Sequence, residues 1–338
     1  MTRIAILGAG SWGTALSVVL SRARTPHEIS LWARKAELAE TLHRQRENTA
    51  YLTGVRLPDG IRATHDVPKA LAGADIVIGA MPSVHARAVY TQALPAITKE
   101  MVFVSATKGL EPETHLRMSS VLAQVLVKAG AAELSRRIAV LSGPSFAAEA
   151  ARGDPTAVVL AAQDAALATR LQEEFSGPSF RLYTNDDVLG VELAGAMKNV
   201  IAIAAGACQG LGLGSNPLAA LITRGLAEMM RLAAALGARS ETLSGLAGLG
   251  DLVLTCTGAL SRNRHVGVEL GKGRKLPEIL AEMHMVAEGV DTAAPLLALA
   301  REHAIDMPIT EQVDAILHRG QLPKDAIREI MDRPLKRE

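Results

Sequence analysis

The sequence predicts an α/β protein in two domains, an N-terminal, mainly parallel sheet domain followed by an all-α domain. Three observations carry the prediction. Short β-rich runs alternate with helical patterns through the first half of the 338 residues, the mark of βαβ units. A glycine-rich turn, "GAGSWG", closes the first run. From about Asp187 the β-rich runs stop, and long helical patterns follow with Gly and Pro between them.

In chain order, "RIAILGAG" reads as a buried strand ending in glycines, and "SWGTALSVVLSRA" as the helix that continues from it. "EISLWAR", "ADIVIGAM", "MVFVSATKG", "IAVLSGP" and "TAVVLAA" are the further strands. The second half patterns as helices over 188–209, 216–236, 264–271, 277–283, 293–302 and 310–318. The domains are therefore expected at 1–187 and 188–338. Neither a repeat nor a low-complexity linker separates them, which predicts direct packing with a cleft.

Composition narrows the function. Apolar residues make up 49% of the chain and aromatics 3%, so Ala, Leu, Val and Ile fill the cores. A net charge of +1 without long runs of one sign argues against a nucleic-acid partner, which calls for a basic face. Residues 188–207, "VLGVELAGAMKNVIAIAAGA", approach the roughly 20 apolar residues of a membrane span. Glu192, Lys198, Asn199 and three glycines count against membrane insertion, and a fully buried helix fits better. The first apolar run is too short for a signal peptide. Cys208 and Cys256 are far apart and read as two buried thiols in a reducing compartment. The expectation is a soluble, cytoplasmic protein with no metal site.

Gly8, Gly10 and Gly13 stand in GxGxxG spacing after a strand and at the start of a helix. That is the context of a Rossmann-like dinucleotide site, where a pyrophosphate rests on the free N–H groups of the helix N-terminus. A glycine turn without a ligand is the plain alternative. About 20 residues on, an NAD-only site places an acid. This chain has Arg34 and Lys35 instead. A guanidinium pairs with a 2′-phosphate, so NADP(H) is the expected cofactor, with NAD(H) possible; otherwise these are solvated cations at a helix start.

Ligands of open α/β sheets bind beyond the C-terminal strand ends. Those ends carry Lys108 in "VSATKG", Gly143 and Ser145 in "LSGPSFAAE", and Ser83 in "GAMPS". In the helical half, "GLAGLGDLVLTCTGALSRNRHVG" is the densest polar cluster. Asp251 and Thr255 share a face if this stretch is helical, and Ser261, Arg262, Asn263 and Arg264 suit a phosphate. The alternatives are an exposed loop lysine, a helix cap at Ser145 and a solvated loop.

Lys198 interrupts an almost wholly apolar stretch. Ala194, Gly195, Ile201 and Ala202 occupy the helical positions around it, and Glu192 lies on another face. Its own helix therefore offers no acid. Either it snorkels or pairs with an acid from another segment, or it faces the cleft. In the second case desolvation and the neighbouring cation Lys108 would lower its pKa from about 10.4, toward proton exchange with a substrate hydroxyl.

Taken in order, "GAGSWGTAL", "ATKGLE", "SGPSFAAE", "GAMKNVIAIAAG", "ALITRGLAEM", "GLAGLGDLVLTCT", "SRNRHVG", "VAEGVDT" and "MPITEQV" resemble the bacterial-type NAD(P)-dependent glycerol-3-phosphate dehydrogenase family over nearly the whole chain. The resemblance implies a Rossmann domain followed by an all-helical domain, a homodimer, and reversible hydride transfer between glycerone phosphate and sn-glycerol 3-phosphate at the head of phospholipid synthesis. It implies that Lys198 is the proton acceptor in the oxidation direction and that Lys108 touches substrate and cofactor. Gly143, Ser145, Asp251, Ser261, Arg262 and Asn263 would contact substrate. Ser11, Trp12, Ala147, Arg262, Val286 and Glu288 would contact cofactor. Two departures stand out: Pro217 and Leu218 where relatives often carry a basic or small polar residue, and Ala-Met at the start of "AMPSVHA". A related two-domain hydroxyacid dehydrogenase does not require the "SRNR" cluster. A non-catalytic NADP sensor would not need Lys108, Lys198 and Asp251 together.

Overall fold

β1 (Thr2–Leu7) buries Ile4 to Leu7 completely, as a parallel strand covered on both faces must. Its side chains alternate. Ile4 and Ile6 enter one core cluster, while Ala5 and Leu7 enter another. The computed structural model describes residues 1–283, 285–335 and 337. They form two compact units: Met1–Glu111 with Leu116–Glu192, and Pro112–His115 with Leu193–Glu338.

In the first unit, β1 is followed by β2 (His27–Trp32), a short hairpin of β3 (Glu47–Asn48) and β4 (Leu52–Arg56), then β5 (Ile61–Thr64), β6 (Ile76–Gly79), β7 (Val102–Ser105), β8 (Ile138–Ser142), β9 (Thr156–Ala162) and β10 (Phe180–Asn185). Apart from the hairpin they make one eight-stranded sheet, ordered β10-β9-β8-β7-β6-β1-β2-β5. All neighbours run parallel except β8 and β9. Helices cover both faces. Leu16 and Leu20 of α1 (Ser11–Leu20) pack on one side, and on the other Val89 and Tyr90 from the helix Ala86–Ala93 join Leu122 and Leu126 from the helix Met118–Lys128.

The six sheet strands read from the sequence are present. β5 and β10, the two edge strands, were not expected, nor was the hairpin. The antiparallel step at β8–β9 is also beyond what the strand sequences imply.

α2 (Val188–Gly210) carries the chain from the first unit into the second. Residues 190–203 are all buried. By length and composition α2 could cross a membrane, but 83% of its apolar window lies inside the fold, as expected of a core helix. The remaining helices include α3 (Ser215–Ala235), α4 (Asp251–Thr257), α5 (Arg262–Gly271), α6 (Glu288–Glu302) and α7 (Pro308–His318). The last two start earlier than their apolar patterns do, and a further helix, Pro323–Met331, was not expected. Cys256 is buried, whereas Cys208 is only half-buried.

α2 and α5 touch backbone to backbone. A Cβ at Gly206 would sit 2.0 Å from the Arg264 carbonyl oxygen, and one at Gly267 would sit 2.0 Å from that of Ile203. Only glycine permits this approach, which brings the start of α5 beside the middle of α2.

Candidate active site

The turn after β1 is built for close backbone approach. Gly8 has φ +125°, and a Cβ there would meet the Ala80 carbonyl oxygen at 2.7 Å. A Cβ at Gly13 would collide with Gly8 itself, so glycine lets α1 rest on the strand end. Gly10 faces open space and caps α1 without a side-chain bond. The first N–H groups of α1, at Ser11, Trp12 and Gly13, thus border that space, which fits a dinucleotide pyrophosphate. Fully buried Asn48 braces the loop: its Nδ2 donates to the Ala9 carbonyl at 3.0 Å and to Thr14 Oγ1 at 2.7 Å. Asn48 comes from the unexpected hairpin, and nothing in its local sequence marks it.

Arg34 and Lys35 follow β2 directly and are exposed. Arg34 Nη1 lies 3.2 Å from Nε2 of His85, in the short turn after β6.

Beyond β7 and β8, Lys108 and Ser145 converge on one atom. The Gly143 carbonyl oxygen accepts from Lys108 Nζ at 2.9 Å and from Ser145 Oγ at 3.0 Å. Gly143 has φ +130°, a conformation suited to glycine. The helix that follows starts at Ala147, with Phe146 at the cap position, so the alternative reading of Ser145 as a helix cap does not hold. Ser83 is buried in the turn after β6.

In the second unit Lys198 has a partner. Its Nζ donates to Asp251 Oδ1 at 2.9 Å and to Thr255 Oγ1 at 2.8 Å, and all three side chains are buried. The acid comes from a segment 53 positions away, the pairing that the sequence leaves open beside a cleft-facing lysine. Asp251 and Thr255 stack on one face of α4, as their spacing requires. The Thr255 hydroxyl donates to the Asp251 carbonyl at 2.6 Å, which turns its lone pair toward the ammonium. Glu192 is engaged elsewhere, accepting from Arg117 at 2.5 Å and from Ser119 N at 2.8 Å.

One residue along α2, Asn199 accepts from Asn263 Nδ2 at 2.9 Å, and Asn263 Oδ1 accepts from the Gly289 N–H at 2.9 Å. This chain ties α2, α5 and α6 together. Asn199, a polar residue in an apolar helix, is the local sequence feature that marks this contact. Ser261 caps α5, accepting from Arg264 N at 3.2 Å. Arg262 donates to the Val286 carbonyl at 2.8 Å, and burial lowers its pKa from the usual arginine value. Glu288 opens α6. Among the described residues no group of three His, Cys, Asp or Glu side chains is placed to hold a metal ion.

Two family models match the chain: the N-terminal part of NAD-dependent glycerol-3-phosphate dehydrogenase over residues 3–168, and its C-terminal part over residues 187–328. The chain belongs to the NAD-dependent glycerol-3-phosphate dehydrogenase family. The glycerol-3-phosphate dehydrogenase [NAD(P)+] of Koribacter versatilis is 55% identical, covering 99% of this chain and 98% of that one. The enzyme of the same name from Acidobacterium capsulatum is 53% identical, covering 99% of each. The crystal structure of glycerol-3-phosphate dehydrogenase from Coxiella burnetii superposes with a TM-score of 0.92 at 42% identity, over 98% of this chain and 99% of that one. Each family match includes one of the two polar sets described above: the glycine turn with Lys108 and Gly143, and Lys198 with Asp251 and the start of α5.

Proposed function

We propose that this chain is an NAD(P)-dependent oxidoreductase that interconverts glycerone phosphate and sn-glycerol 3-phosphate, supplying the phospholipid precursor. The observation that carries the mechanism is the buried Lys198–Asp251–Thr255 set. A bound nicotinamide dinucleotide supplies or accepts the hydride. Negative charge develops on the substrate's carbonyl oxygen during reduction. Lys198 neutralises it and gives up a proton there. In the oxidation direction Lys198 takes the hydroxyl proton. Asp251 and Thr255 fix Nζ before the reaction, so little reorganisation is needed at the moment of transfer.

Arg262 and Asn263 hold the substrate phosphate, aided by Ser261 and the N-terminus of α5. Binding energy gathered at the phosphate, away from the reacting carbon, fixes the orientation of the carbonyl. Lys108, Gly143 and Ser145 contact the substrate as well. On the cofactor side, Gly8, Gly10, Ser11, Trp12 and Gly13 receive the pyrophosphate, Arg34 and Lys35 the adenosine 2′-phosphate, and Lys108, Ala147, Arg262, Val286 and Glu288 the rest. The Koribacter versatilis relative is a glycerol-3-phosphate dehydrogenase [NAD(P)+], which supports use of either nucleotide, and Arg34 and Lys35 favour NADP(H). Residues 1–187 are the dinucleotide-binding domain and residues 188–338 the substrate-binding domain. A homodimer in the cytoplasm completes the reading, on the strength of the resemblance.

The test is a steady-state comparison of NADPH and NADH with glycerone phosphate. Loss of absorbance at the NADPH band upon substrate addition supports the enzyme. No loss at any pH would leave a nucleotide-binding sensor.

A further inference from the structure

We infer that His85 is a specificity-determining residue that positions Arg34 for an adenosine 2′-phosphate. The inference rests on the proposed cofactor end and adds a residue to it. β1 lies between β6 and β2, with Leu7 opposite both Gly79 and Trp32. Arg34 follows β2 and His85 follows β6, so their 3.2 Å contact bridges the end of β1, where the glycine turn begins.

Arg34 is exposed, and among the described residues no carboxylate lies within ion-pair distance of it. A solvated arginine loses considerable rotamer freedom whenever it is fixed on a ligand. The imidazole bears part of that cost in advance. Because the guanidinium only donates, His85 Nε2 accepts, which puts the ring proton on Nδ1. Holding Nη1 this way sets the guanidinium plane and leaves other N–H groups of the fork to meet a phosphate. An imidazole is suited to this task because a carboxylate in its place would repel the incoming anion. His85 in turn is anchored by a tight turn, its N–H donating to the Pro82 carbonyl at 3.0 Å, next to the buried Ser83.

The test is the ratio of kcat/KM with NADPH to that with NADH for the native enzyme, His85→Ala, His85→Gln, Arg34→Ala and the Arg34→Ala/His85→Ala pair. His85→Ala should lower the ratio about two- to tenfold, the net scale of one hydrogen bond on an exposed side chain, through KM for NADPH rather than kcat. His85→Gln, which keeps a side-chain acceptor, should recover part of it. In the Arg34→Ala background the His85 change should do nothing further, because its effect runs through Arg34. A ratio unchanged or raised by His85→Ala, or an equal loss with and without Arg34, would overturn the inference while leaving the cofactor end intact. If Arg34→Ala itself leaves the ratio unchanged, the reading of the cofactor end fails and the role of His85 falls with it.

Discussion

Lys198 Nζ lies 2.9 Å from Asp251 Oδ1, both side chains buried, on helices whose residues are 53 positions apart. The pair explains how an ammonium sits inside a long, buried, apolar helix. Its charge is compensated from outside that helix. Lys198→Met would therefore leave Asp251 buried without its cation, and a stability loss of about 3–5 kcal/mol is expected. Lys198→Met with Asp251→Leu should regain much of that loss and none of the turnover. Chemical denaturation of the two variants checks this. A single variant as stable as the native protein would mean that the ion pair does not compensate the buried carboxylate.

Arg34 should set the choice of nucleotide. Arg34→Asp is expected to raise KM for NADPH strongly and KM for NADH much less, a tenfold or larger change in preference. That is the scale of a charge-assisted phosphate contact, about 1.5–3 kcal/mol. Equal effects on both nucleotides would remove Arg34 from this role.

Arg262 should anchor the substrate phosphate. Arg262→Ala is expected to weaken glycerone phosphate binding and, through its contact with the Val286 carbonyl, NADPH binding too. Dihydroxyacetone lacks the phosphate and should be a poor substrate for both forms, with little difference between them. The same factor lost with both substrates would contradict the phosphate assignment.

Glu228 links stability to pH. It is buried on α3 and accepts from the Ile309 N–H at 2.6 Å and the Thr310 N–H at 3.2 Å, holding the first turn of α7. Desolvation outweighs these bonds and raises its pKa from 4.5 to about 7. The folded state thus binds this proton more tightly than the unfolded chain does. Its contribution is fully present below about pH 4.5 and is lost as pH rises through about 7. The total is about 3 kcal/mol. Urea unfolding at about pH 5 and about pH 8 should show the native protein losing that much relative to Glu228→Gln, whose amide does not titrate. Parallel pH profiles would show that the carboxylate is ionised throughout.

The two-domain α/β plan was legible because buried parallel strands announce themselves as apolar runs, and six of them do so here. What escaped were the edges. β5 spans four residues, and β10 alternates buried Phe180 and Leu182 with exposed Arg181 and Tyr183, a weaker pattern than a continuous run. Strand order and the antiparallel β9 depend on pairing between distant segments, which no local window carries. The same holds for the site. Lys198 stood out as a charge among apolar neighbours, and the glycine turn by its spacing. That Asp251 and Thr255 meet Lys198 depends on how α4 packs, and that Asn263 meets Asn199 depends on the glycine contact between α2 and α5. Asn48 and His85 work through contacts with residues 34 to 51 positions away, so neither had a local mark.

The central claim is that Lys198 moves the proton to and from the substrate oxygen. The most direct measurement is turnover of glycerone phosphate by Lys198→Met at saturating NADPH, counted per folded molecule after the folded fraction has been determined on the same preparation. The account predicts a fall of at least roughly 10²–10⁴-fold, the range of lost general acid–base catalysis, with NADPH still bound. A folded fraction that retains near-native turnover would contradict it and leave the Lys198–Asp251 pair a structural feature alone.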